Sequence, residues 1–172
     1  AELSFGNVIL RSNINGIYDA QGQPLGYVVN WEEVGDLKNL EAEQARVKSM
    51  MENAPFNILF DDKDLILQYA NPASVKTLKT LEQYLPVPAD KMVGQCIDVF
   101  HKNPRLQRSL LGDPRNLPHN AQIQLGPEVL DLNVSAIYDT AGDYMGAVVN
   151  WSVITEQIKM KMEVEEMARL EK

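Results

Sequence analysis

With 172 residues, 45% of them apolar and 23% charged, the chain has an ordinary globular balance and room for one domain of ~100 to 150 residues with partial structure beside it. A formal charge of −8 argues against nucleic acid as a partner, because affinity for phosphates comes mainly from lysine and arginine. One cysteine, Cys96, excludes an internal disulfide, and with only two histidines, His101 and His119, there are too few ligands for a tetrahedral zinc site. No apolar run approaches the ~20 residues that cross a bilayer, and residues 1–6 do not read as a signal peptide, so a cytoplasmic piece in a reducing compartment is expected.

Residues 10–31 recur without a gap as residues 130–151, an offset of 120, with eleven of twenty-two pairs identical. The identities include Ile17-Tyr18-Asp19 with Ile137-Tyr138-Asp139, and Val28-Val29-Asn30-Trp31 with Val148-Val149-Asn150-Trp151. Each copy alternates apolar and polar residues around a polar turn, Asp19-Ala20-Gln21-Gly22 or Asp139-Thr140-Ala141-Gly142, the pattern of a hairpin. The first copy lacks the elements that precede the second, so residues 1–33 read as the C-terminal hairpin of a truncated upstream unit. In residues 34–51, a helical linker, Leu37, Leu40, Gln44, Val47 and Met51 fall at alternating three and four spacing, a short coiled-coil seam.

Residues 56–60 and 65–69 are short apolar strands separated by the turn-rich Asp61-Asp62-Lys63-Asp64. Asn71-Pro72 offers an N-cap oxygen and a preset φ, which predicts a helix running to about Leu81. Pro86, Pro88 and Gly94 break the chain before a short turn over 97–102, and residues 104–111 read as a helix ended by Gly112-Asp113-Pro114. Strands are expected around 119–125, 128–139 and 144–153. Residues 154–172 begin a C-terminal signalling helix, and after Trp151 the residues Val153, Gln157, Met160, Val164 and Met167 repeat the seam spacing. The predicted architecture is α+β: a five-stranded antiparallel sheet with helices on one face, flanked by coiled-coil-like helices.

This order, with Asp64-Leu65 before Tyr69-Ala70-Asn71-Pro72-Ala73 and a closing hairpin, resembles the PAS sensor family over residues 52–153. Asp98-Val99-Phe100-His101-Lys102-Asn103-Pro104, followed by Gln107-Arg108 and Leu110-Leu111, is similar to the signature of haem-binding PAS domains in soluble oxygen-sensing chemoreceptors. The resemblance implies haem b, with His101 as the iron ligand, Trp151 as the distal partner and Leu132 packing near bound gas. It further implies oxygen as the ligand, with carbon monoxide and nitric oxide as others, a homodimer, and signal relay from an adjacent PAS unit to a downstream domain. The chemistry agrees: imidazole ligates iron, and an indole N–H can only donate. The alternatives are a cofactor-free PAS domain for dimerisation and relay, or a flavin redox sensor.

His119 follows Pro118 and reads as a strand-start residue, while Cys96, in Gly94-Gln95-Cys96-Ile97-Asp98, lacks the context of a photosensing cysteine and reads as a small buried residue. Val153 stands where the PAS exit turn often carries aspartate, leaving only Thr155 of the usual Asp-x-Thr. No nucleophile elbow, phosphate loop or His-Glu-x-x-His motif is present, which predicts a non-enzyme.

Overall fold

Alternating side chains around Asp19 form the expected hairpin, β2 (Val8–Tyr18) with β3 (Pro24–Glu33). A strand not foreseen from the sequence, β1 (Glu2–Phe5), folds back on β2 through Gly6 at φ 59. The helix α1 (Gly35–Glu52) follows. This computed structural model describes residues 1–170, and the chain divides between Met50 and Met51 into two compact units.

In the second unit β4 (Asn57–Asp62) and β5 (Leu67–Ala70) precede α2 (Pro72–Thr80). Short 3-10 turns at Glu82–Tyr84, Ala89–Lys91 and Ile97–Phe100 lead to α3 (Pro104–Leu111). Then come β6 (His119–Leu125), β7 (Glu128–Tyr138), β8 (Tyr144–Val153) and α4 (Thr155–Leu170). Residues 171 and 172, the end of the expected C-terminal helix, lie outside the described residues. The five antiparallel strands take the order β5-β4-β8-β7-β6, as the α+β reading anticipates.

Two apolar clusters lie between this sheet and its helices. One gathers Leu67, Leu78, Leu81, Met92, Leu130 and Trp151, and the other Leu65, Ile97, Leu111, Val134 and Ala147. Phe100 and Val149 pack against both. Helix α2 starts as predicted, with Pro72 in its first turn and the side chain of Asn71 accepting the Ser74 N–H.

Two expectations are corrected. The first strand continues through Asp61 and Asp62, because Asp62 Oδ1 accepts the N–H of both Asp64 (2.9 Å) and Ile66 (3.0 Å) and so moves the turn downstream. Leu65 takes φ 65 there, held by burial of its side chain in the second cluster. Val153, expected to open the C-terminal helical stripe, is the last residue of β8 and packs on the first cluster, so that stripe begins at Gln157. The sheet passes into α4 through two links to β7. Ile154 N–H donates to Val129 O (2.8 Å), and Thr155 Oγ accepts the Val129 N–H (2.9 Å) while donating to the Glu128 carboxylate.

Candidate functional site

His101 closes the 3-10 turn Ile97–Phe100, its backbone N–H donating to Asp98 O at 3.2 Å. Three residues on, Pro104 opens α3, from which Arg108 returns as a fork on Asp98, with Nε 2.9 Å from Oδ2 and 3.2 Å from Oδ1. Asp98 is thus pinned on one side of His101 and α3 on the other, which fixes the segment carrying the imidazole. The ring is half-buried, and Nδ1 lies 2.7 Å from Ile97 O. A carbonyl can only accept, so Nδ1 carries a proton, and in the neutral ring Nε2 then keeps its lone pair. That is the tautomer of a metal-ligating histidine whose far nitrogen is held by a backbone carbonyl.

Trp151 is buried in the first cluster, opposite Leu132 in the β7–β8 register, and Leu132 packs on the same cluster. Phe100, adjacent to His101, packs against that cluster too. Two of the three expected site residues are therefore cross-strand neighbours, and the third follows a residue that packs on their cluster. His119 stands at the first position of β6 opposite Val134, as a strand-start residue should. Cys96 is half-buried against the second cluster. Among the described residues no three His, Cys, Asp or Glu side chains are grouped to hold a metal ion, and no helix is long and apolar enough to cross a membrane.

Three residues went unforeseen. The Trp151 indole N–H donates to Ser74 Oγ at 3.0 Å, and Ser74 Oγ donates in turn to Ile58 O at 3.0 Å. Asn71, fully buried beside it, is saturated: Oδ1 accepts from Ile58 N and Ser74 N, both at 2.9 Å, while Nδ2 donates to Phe56 O (2.9 Å) and Met51 O (3.3 Å). Asn71-Pro72 announced the cap, but nothing in sequence spacing announces a bond across 77 positions. The third is Asp61, placed in a turn by its neighbours and in fact buried opposite Ala147 on the face the helices cover. Its Oδ2 has no partner, and burial pushes its carboxyl up to about 7, helped by the nearby Asp62 charge.

No protein-family model matches the chain. It is 33% identical over 133 residues to the methyl-accepting chemotaxis protein McpB of Pseudomonas aeruginosa, a match covering 74% of this chain and 19% of that protein. The chain thus spans about a fifth of the curated relative it matches. It also superposes on the Aer2 receptor from Vibrio cholerae, a dual PAS-haem oxygen sensor, with a TM-score of 0.56 and 37% identity over 58% of this chain and 95% of that one. An RNA-binding light-oxygen-voltage receptor, 13% identical with a TM-score of 0.51, shares the fold alone. With its five-stranded sheet, helical layer and closing hairpin, and at this identity to nearly all of the Aer2 chain, the protein belongs to the PAS family.

Proposed function

We propose that residues 52–153 form a haem-based gas sensor, with oxygen as its ligand, in a cytoplasmic chemoreceptor-like protein. The observation that carries this reading is the His101 imidazole, with Nδ1 committed to Ile97 O and Nε2 left for iron. A porphyrin supplies four nitrogens and would need one protein ligand and apolar surroundings, so a histidine next to Phe100, which packs against both apolar clusters, fits it. When bound, haem b supplies an iron to which a diatomic gas coordinates. His101 would hold the group, Leu132 would pack beside the gas, and Trp151 would present an N–H toward its partial negative charge. Oxygen gains more from that donor than carbon monoxide does, and nitric oxide is a further candidate. The ligand state passes from β8 through Thr155 into α4, whose exposed Met160, Val164 and Met167 pair with a second copy as a coiled-coil seam. Residues 1–33 belong to a second PAS unit, as the closing hairpin they share with residues 130–153 suggests.

A visible absorption spectrum after haem reconstitution tests the proposal, and a Soret band at one haem per chain is expected. His101→Ala abolishes that band and leaves the far-ultraviolet circular dichroism unchanged. Retained stoichiometric haem would move the ligand elsewhere, with His119 next in line. The competing reading is a cofactor-free PAS domain for dimerisation and relay, favoured by the closed set of bonds around Ser74 and Trp151. It prevails if the chain takes up no haem.

A further inference from the structure

Resting on the haem reading, we infer that Ser74 sets the affinity of the site for oxygen, by competing with the gas for the single N–H of Trp151. An indole has one polar hydrogen and no acceptor, so it makes one conventional hydrogen bond at a time. In this structure that hydrogen is given to Ser74 Oγ at 3.0 Å, within the buried layer between α2 and the sheet. The acceptor is fixed in place. Ser74 N–H donates to Asn71 Oδ1 and its hydroxyl hydrogen is turned to Ile58 O, which leaves an oxygen lone pair for the indole. Asn71 is itself saturated, so this serine cannot drift away without breaking the start of α2.

Any acceptor that binds next to Trp151 therefore has to take the N–H from Ser74, and its net gain is the difference between two hydrogen bonds. Ser74 lowers oxygen affinity by the worth of its own bond to the indole and stabilises the gas-free domain by the same contact. Removing the hydroxyl leaves Ile58 O with another donor, the Asn71 backbone N–H at 3.0 Å, so only the indole loses its partner. The effect falls selectively on ligands that use the donor. Oxygen binding tightens, and carbon monoxide, which accepts weakly, changes little.

The experiment compares wild type, Ser74→Ala, Trp151→Phe and the double variant, all reconstituted with haem, by stopped-flow and equilibrium binding of both gases. One buried hydrogen bond corresponds to roughly fivefold to tenfold in affinity. Ser74→Ala should tighten oxygen by about that factor, leave carbon monoxide within about twofold, and have no effect on oxygen in the Trp151→Phe background. Ser74→Cys, nearly the same shape with a weaker acceptor, should move in the same direction by less, and serves if the alanine variant does not fold. A readout independent of haem is hydrogen exchange of the Trp151 indole N–H before haem is added, which should accelerate in both Ser74 variants. Unchanged oxygen affinity in haem-loaded Ser74 variants, or an equal shift in the Trp151→Phe background, overturns the competition and leaves the haem reading intact. A wild-type chain that takes up no haem overturns both. Unchanged indole exchange overturns the Ser74 contact itself.

Discussion

Residues 10–31 and 130–151 share half their residues at a fixed offset and fold into matching strands, β2 and β3 in one copy and β7 and β8 in the other. Even the turns agree. Asp19 Oδ1 accepts the N–H groups of Gln21 and Gln23 as Asp139 Oδ1 accepts those of Ala141 and Asp143. Yet Trp31 is 58% exposed and Trp151 6%, Ile14 61% and its counterpart Val134 7%, Tyr27 76% and its counterpart Ala147 0%. The difference lies in what flanks the hairpin. In the first unit β3 is an edge strand, whereas β8 has β4 on its other side and helices over its inner face. Local sequence specifies a hairpin twice; residues 52–118 turn only one of them into the wall of a core. The exit into the following helix differs as well. The backbone bond recurs, Val34 N–H to Ile9 O as Ile154 N–H to Val129 O, but the Thr155 side-chain link meets Gly35 in the first unit.

The largest expected effect pits the two tryptophans against each other. Trp151→Ala removes a buried aromatic and leaves a cavity in the first cluster, a cost of about 3 to 5 kcal/mol to the second unit. Trp31→Ala removes an exposed ring and should change stability by no more than about 0.5 kcal/mol. Urea unfolding followed by circular dichroism measures both. A comparable loss at Trp31 would break the comparison, and would mean that its face is covered in solution.

Next comes Asp61, an acid on the covered face at a strand the first unit does not have. Its carboxyl titrates near 7 in the folded domain and near 3.8 when unfolded, so the folded state holds the proton more tightly. The stability contributed by this proton is therefore full below about pH 4, falls as pH rises toward 7, and is lost above it. The whole swing is of order 4 kcal/mol at ~1.36 kcal/mol per pKa unit. Asp61→Asn cannot titrate and should flatten the curve over that window while matching wild type near pH 4. Parallel urea midpoints for the two proteins from pH 4 to 8 would show that the acid is ionised and paired.

Much of this fold was legible in the sequence because its signals are local. Asn71-Pro72 sets a cap, Gly112 stops α3, and alternation around Asp19 and Asp139 makes hairpins. What stayed hidden depends on partners far along the chain. Asp61 looks like a turn residue beside Asp62, Lys63 and Asp64, and only its register opposite Ala147 reveals it as buried. The pairing of His101 with the Ile97 carbonyl lay within reach of a four-residue spacing, whereas Ser74 meets Trp151 only through tertiary packing. Trp31 and Trp151 are the plainest case, since the same residue in the same pattern is exposed in one copy and buried in the other.

The smallest effect isolates the covering strand from the backbone itself. Gly26 and Gly146 occupy equivalent positions with nearly the same backbone, φ 152 and φ 147, and both pair with the isoleucine that precedes the hairpin's tyrosine. A side chain at either position pays for a left-handed backbone, about 1 to 3 kcal/mol. Their surroundings differ. A Cβ on Gly26 would meet nothing within 4 Å, whereas one on Gly146 would lie 2.0 Å from Asp61 O and 2.7 Å from Asp62 Cα, both main-chain atoms of β4. No rotamer change relieves a clash with backbone, so β4 must move away from β8 and disturb the ladder between them. Gly146→Ala should therefore cost the second unit roughly 1 to 3 kcal/mol more than Gly26→Ala costs the first, the usual penalty for overpacking. Hydrogen exchange of the β4 and β8 amides should rise in Gly146→Ala alone. Because the φ strain cancels in the difference, equal costs at the two glycines would remove β4 as the reason the two copies diverge.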